Sequence, residues 1–321
     1  MAVASCALTG CATEKLTVTV TDNEGMPVSN ARVRVGYSTS NVIFGGGHRS
    51  SGSDSGYAES QTGADGVAVV KFNCTSSDFG WSVSAEGYYK SDIFNGHFAF
   101  DEIIIPPGIG KVILNEHEKY GRVTLWEIKN PQPMYAHYSI EDCKWLKENG
   151  RYGFDLKLFD WVAPYGDGQE ADFYVVRDYT KPTEEGRFRV GTLEFERGGG
   201  FYLAENNGNE NFQTAYHADT NAVFVSSVPL QYEHYKDGAK EFDVFLPLVD
   251  KKHHIVLRTR VKYDENGNMV SAHYSRILGE FSAMPFVSVS ESIFNPVPND
   301  TNLEFDRGRN LYKPPKRRRR K

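Results

Sequence analysis

The sequence predicts an all-β protein built from two β domains with at most one or two short helices, and three observations carry that prediction. Composition leans toward strands and turns: the 321 residues include 18 Tyr, 20 Phe and 30 Gly, aromatics that suit a pleated surface and glycines that suit the reversals between strands. Short runs alternate apolar and polar residues with a period of two, the pattern of a strand with one buried face. Neither helix-period repeats nor strand–helix–strand alternation runs through the chain, which argues against a parallel α/β enzyme fold. Two domains follow from a length that exceeds the usual ~150 residues per domain, each large enough to bury its own core. A composition 40% apolar and 24% charged excludes wholesale disorder.

The first domain is expected over residues 14–115. Leu16-Thr17-Val18-Thr19-Val20 alternates as a strand, Asp22-Asn23-Glu24-Gly25-Met26-Pro27 supplies a reversal, and Ala31-Arg32-Val33-Arg34-Val35 resumes the alternation. Ser38 to Ser60 is rich in Ser and Gly and contains Gly45-Gly46-Gly47, so it reads as a long loop and not as an element. Asp65-Gly66 is a second tight turn before Val67 to Phe72, and Trp81 to Ala85 is another strand. Ile103-Ile104-Ile105 and Pro106-Pro107-Gly108 close this part.

These residues also carry a resemblance. Asp22-x-x-Gly25-x-Pro27-Val28-x-x-Ala31-x-Val33, then Thr62-x-x-Asp65-Gly66, then Ala85-x-Gly87-Tyr88 resembles the carboxypeptidase regulatory-like module, related to transthyretin-like and bacterial Ig-like domains. The resemblance implies a Greek-key β-sandwich, and a non-catalytic secreted or surface module that supports a partner domain. It transfers no active site. The Ser/Gly insertion between the second and third strands departs from the family pattern.

Residues 116–312 form the second, aromatic-rich antiparallel β domain, sandwich or jelly-roll-like, for which no family is evident. Val123 to Ile128, Phe154 to Leu158, Phe188 to Phe195, Ala222 to Val228 and Phe242 to Leu246 are its candidate strands, and Ile140 to Asn149 its candidate helix. His254 to Tyr263, the turn Asp264-Glu265-Asn266-Gly267-Asn268, and Met269 to Leu278 give the clearest hairpin. Leu303-Glu304-Phe305 would add a last strand or strap.

The two ends read differently from the body. Leu8-Thr9-Gly10-Cys11 resembles the bacterial lipobox, making residues 1–13 the remnant of a secretion signal and Cys11 the lipidated residue. No Lys or Arg precedes Cys11, although a signal needs a basic n-region, so the stretch reads as a clipped signal or else as a disordered start. No run approaches the ~18 apolar residues of a membrane helix, so membrane attachment would be by lipid. The tail, residues 313–321, holds seven positive residues and no acid, so with a net charge of −6 the remainder carries −6 − 7 = −13. An acidic body argues against nucleic-acid binding, although Lys316 to Lys321 leaves that open. Cys74 and Cys143 remain as a disulfide pair or as two buried thiols.

The most distinctive local run is Asp160-Trp161-Val162-Ala163-Pro164-Tyr165-Gly166-Asp167-Gly168. Trp161 and Tyr165 would stack on a sugar face while Asp160 and Asp167 accept hydroxyl hydrogen bonds or bind calcium. The competing reading makes Trp161 a core anchor and the acids turn caps. Gly198-Gly199-Gly200-Phe201-Tyr202 lacks the strand–helix setting and lysine of a phosphate loop and reads as a flexible turn or hairpin tip. His253 and His254, adjacent in a strand, would face opposite sides and not share an ion. The common hydrolase signatures fail, and an acid pair such as Asp160 with Asp172 is what glycoside hydrolysis would need. The sequence therefore points to a non-catalytic, lipid-anchored protein of the bacterial cell envelope, periplasmic or outer-membrane, that binds a glycan or an envelope protein without metal or cofactor. A structural or adhesive subunit, a carboxylate-dependent glycosidase, and a cytoplasmic location if the start is no signal are the alternatives.

Overall fold

The computed structural model describes residues 13–45, 48–73, 79–93, 113–114, 119–138, 149–177, 191–207, 212, 214–230, 232–237, 240–245, 252–282 and 288–313. The described chain is all-β, with a single 3-10 turn at Arg307–Arg309 as its helical element. The candidate helix at 140–149 lies almost entirely outside the described residues, as do Ile103 to Gly108.

Two compact units emerge, residues 1–128 with 207–213, and the remainder. The first contains β1 (Thr13–Asp22), β2 (Arg32–Gly45), β3 (His48–Gln61), β4 (Val67–Asn73), β5 (Phe79–Ser84), β6 (Ser91–Ile93), β7 (Ile113–Leu114) and β8 (Lys119–Leu125). They form two four-stranded sheets, β4-β1-β8-β7 and β3-β2-β5-β6. The alternation read from sequence is what joins them: Leu16, Val18 and Val20 of β1 meet Val33 and Val35 of β2 and Trp81 and Val83 of β5 in one core. Gly121 on β8 is where Trp81 crosses over, and a Cβ there would lie 2.7 Å from its indole. At Gly66, a φ of +73° and the nearness of the Val20 carbonyl leave no room for a side chain. Thr62 ties the two turns together, donating to Val28 O (2.7 Å) and accepting from Ala31 N (2.8 Å).

Two expectations change here. The Ser/Gly stretch 38–60 is not a loop: β2 and β3 pair antiparallel from Arg32↔Gln61 out to Gly45↔His48. Tyr37, Thr39, Val42, Ile43 and Phe44 supply the β-formers that the neighbouring Ser and Gly obscure. Strand β8, expected to open the second domain, instead pairs in parallel with β1, Leu16↔Lys119 through Asp22↔Leu125, so this unit runs to Ile128 and past residue 115. Phe212 belongs to it too, stacked on Tyr89 at 4.8 Å and tilted against Trp126 at 6.0 Å.

The second unit holds β9 (Tyr135–Tyr138), β10 (Gly150–Asp155), β11 (Asp160–Trp161), β12 (Phe173–Arg177), β13 (Gly191–Glu194), β14 (Gly200–Glu205), β15 (Ser227–Leu230), β16 (Tyr232–Asp237), β17 (Lys240–Phe245), β18 (His253–Tyr263), β19 (Met269–Ser282) and β20 (Ser288–Phe294). Sheets β11-β10-β12-β13-β15 and β14-β18-β19-β20-β9 are antiparallel, with β16-β17 as a separate hairpin. A single core lies between the two larger sheets, with Phe154, Trp161, Phe173 and Leu193 from one and Ile255, Leu257, Ile277 and Phe294 from the other. The other face of the β18–β19 sheet is covered by Ala218 and Leu303, and at its β9 end by Phe305. Leu303 to Phe305 is thus a strap, bridged at Gln132↔Phe305.

Candidate functional site

The run from Asp160 to Gly168 is a tightly built turn. The Asp160 carboxylate accepts from Trp161 N and from Asp167 N, each at 2.8 Å. Trp161 is fully buried, edge-on to Phe154 at 5.2 Å. Tyr165 is half-buried against Tyr152 at 4.7 Å, and Asp167 is exposed. Of the two readings of this run, the burial of Trp161 fits the anchoring one and Asp160 accepts two backbone amides of its own turn, whereas Tyr165 and Asp167 keep partial or full exposure.

A different cluster forms around Arg260, whose side chain is 8% exposed. Its Nε donates to Asp172 Oδ1 (2.9 Å), Nη2 to Asp172 Oδ2 (2.8 Å) and Asp155 Oδ1 (2.9 Å), and Nη1 to Glu170 Oε2 (3.3 Å). Its guanidinium also sits over the Phe294 ring at 4.5 Å. Asp172 further accepts from Leu156 N and Thr259 Oγ1, both at 2.7 Å. Asp155 collects the amides of Lys157, Leu158, Gln169 and Glu170.

Consecutive strand residues point to opposite faces, yet Thr259 and Arg260 both reach the Asp172 carboxylate. The explanation is a bulge: the β18–β19 register slips between Thr259 and Lys262, and Arg260 takes a φ of +50°. Burial works against the Arg260 charge, but the bonds and charge of Asp172, joined by Asp155, hold its pKa above the ordinary value. For Asp172 burial dominates and raises the carboxyl above its usual value, against the pull of Arg260, Thr259 and Leu156. With Asp160 and Asp172 both engaged internally, they form no free acid pair.

Beside this knot opens a cleft of about 190 Å³ lined by Glu170, Asp172, Tyr174, Glu196, Arg260 and Lys262 among others. Tyr174 donates to Glu196 Oε1 at 2.7 Å, and Arg151 covers its ring at 3.3 Å. Burial, then Glu196, pushes the Tyr174 phenol up. Glu170, Glu196 and Lys262 are exposed at the rim. Of the cleft residues only Asp172 and Gly199 stood out in the sequence, neither as part of such a cleft, because no local pattern announces a bulge or partners about 90 residues apart.

The remaining candidates take ordinary places. Gly199 and Gly200 are buried at the start of β14, a packed turn and not a flexible tip. His254 is fully buried while His253 is half-exposed. Burial, then Arg276, pushes His254 down to about 3. His254 Nδ1 lies 3.0 Å from Asn206 Oδ1. Among the described residues no cluster of His, Cys, Asp and Glu is arranged to hold a metal, and no helix is long and apolar enough to cross a membrane. Cys11, Cys74, Cys143 and the tail Lys316 to Lys321 lie outside the described residues. No family model matches the chain, and a search of curated proteins finds no match.

Proposed function

We propose that this chain is a non-catalytic protein of the bacterial cell envelope, lipid-anchored at Cys11, and that its second unit binds a glycan in the cleft beside Arg260. The cleft carries the reading. Its rim presents carboxylates that accept from sugar hydroxyls and an ammonium that donates to them, and its floor is rigid because the buried groups beneath have satisfied one another. The acidic body favours a neutral or amine-bearing glycan over a polyanion. The first unit, with its likeness to carboxypeptidase regulatory-like modules, serves as the spacer.

A glycan array with the full chain tests the ligand. Binding that falls at least tenfold in both Glu196→Gln and Lys262→Met, with folding intact, supports the cleft; silence across the array, or binding indifferent to both changes, overturns it. Incorporation of a palmitate analogue in cells, lost in Cys11→Ala, tests the anchor.

A further inference from the structure

After Phe305 the chain runs along the outer edge of β9 and supplies the partners that an edge strand lacks. Asp306 N donates to Gln132 O and Leu311 N to Met134 O, both at 2.9 Å. The Asn310 side chain stands in for a neighbouring strand, its Oδ1 accepting from Ala136 N (3.0 Å) and its Nδ2 donating to Ala136 O (2.9 Å). Leu303 and Phe305 are buried, but residues 306–313 are half-exposed or exposed. Beyond Phe305, then, polar contacts hold the strap, among them Arg309 Nη2 to Pro131 O (3.0 Å) and the Arg307–Glu291 ion pair (3.8 Å), together with a ring contact and with little apolar burial.

That ring contact is to a histidine. Tyr312 lies on His137 of β9 with centroids 3.6 Å apart, and Phe159 stacks on His137 at 4.6 Å. His137 is 6% exposed, and its Nε2 is buried with no hydrogen-bond partner. The ring bonds the backbone of Lys157. On β20 its register neighbour is Ser292, whose buried hydroxyl makes no bond to it. The nearby carboxylate is Asp155, already occupied by Arg260 and four backbone amides. A second proton on the ring would thus be a buried, unsatisfied charge, and the element over it that can leave at least cost is the strap.

We propose that Asp306–Lys313 is an acid-released latch, in which protonation of His137 drives Tyr312 off the ring, frees the strap and uncovers the β9 edge. Burial pushes His137 down to about 4 from an ordinary 6.5, against the smaller pull of Lys157 and Asp155. Release re-exposes the ring and lets it recover its ordinary value, so the open form gains as pH falls below 6.5. Between pH 7.5 and 4.5 the open population rises by at most roughly seventyfold. The latch is independent of what the cleft binds.

Peptide-resolved hydrogen exchange on the full chain at pH 7.5 and 4.5, corrected for the intrinsic pH dependence of exchange, tests it. Protection over 132–137 and 304–313 should fall at least tenfold at pH 4.5 while 255–259 and 275–278 keep theirs. His137→Phe, which fills the space between the rings without a titratable nitrogen, should keep the strap protected at both pH values, and Tyr312→Ala should leave it open at both. An unchanged strap at pH 4.5, a uniform loss across the second unit, the same pH response in His137→Phe, or wild-type protection in Tyr312→Ala at pH 7.5 would each overturn the proposal.

Discussion

Arg260→Met should cost the protein about 3–5 kcal/mol, the range for breaking a buried ion pair by removing one partner. Methionine keeps most of the unbranched apolar stem, though not the full reach, and faces the same left-handed backbone as arginine, so the φ of +50° contributes little to the difference. The loss falls unevenly. Asp155 gives up one of its five hydrogen bonds and keeps four backbone amides. Asp172 gives up two of four, keeping Leu156 N and Thr259 Oγ1, and stays buried at 3% exposure with its charge unanswered. Asp172→Asn alone leaves Arg260 in the complementary position. The double variant removes both charges, so its loss should be smaller than the sum of the singles by about 2 kcal/mol or more. Urea unfolding at pH 7.5 followed by far-UV circular dichroism measures all three. A cost below about 1 kcal/mol for Arg260→Met, or simple additivity, would refute the claim that Asp172 depends on this one cation.

Three further outcomes are expected. Gly121→Ala places a Cβ 2.7 Å from the Trp81 indole and should destabilise the first unit by about 1–3 kcal/mol; an unchanged melting temperature would contradict that packing. Trp161→Ala empties a fully buried site and should cost about 3–5 kcal/mol, while glycan binding by the protein that remains folded stays at the wild-type level in a titration below the melting point. His254, neutral in the fold and pushed down to about 3 from 6.5, adds no penalty above pH 6.5; as pH falls further the unfolded chain takes up a proton the folded one refuses, a loss of about 3 kcal/mol by pH 4. His254→Gln should flatten that slope in urea midpoints measured at pH 7.5 and 4, and an unchanged slope would exclude His254 as its source.

What the sequence disclosed is what depends on neighbours along the chain. The hairpin β18–β19 was legible because its turn is local: Asp264 accepts from Asn266 N (3.0 Å) and Asn268 N (2.8 Å), and Gly267 supplies the positive φ. The strand alternation at Leu16-Thr17-Val18-Thr19-Val20 was legible because one face alone is buried. The parallel pairing of β1 with β8 was not, since strand partners about 100 residues apart leave no periodic trace. The site was less legible still. Asp160-Trp161-Val162-Ala163-Pro164-Tyr165 drew notice through its residue types, and those types turned out to build a turn and a core. The Arg260 knot drew none, because Thr259-Arg260-Val261-Lys262 reads as an ordinary strand and its bulge is set by tertiary pairing.

That bulge ties the fold to the proposed site. In a regular strand Arg260 would point away from Thr259, and Asp172 would sit buried with two hydrogen bonds and no cation. A left-handed residue other than glycine costs roughly 1–2 kcal/mol, whereas each charge-assisted bond it permits contributes about 1.5–3 kcal/mol, and Arg260 makes two such bonds to Asp172 alone. The left-handed turn is therefore what brings both bonds to Asp172, whose burial they oppose. The same accounting separates support from recognition within the cleft. The buried carboxylates of Asp155 and Asp172 are saturated and fix its floor, while exposed Glu196 and Lys262 on its rim touch no buried charge that would suffer from their loss. Substitutions at the rim should thus change ligand affinity with little change in stability, and substitutions in the knot should do the reverse. A protein whose cleft were only a by-product of packing would show no such division.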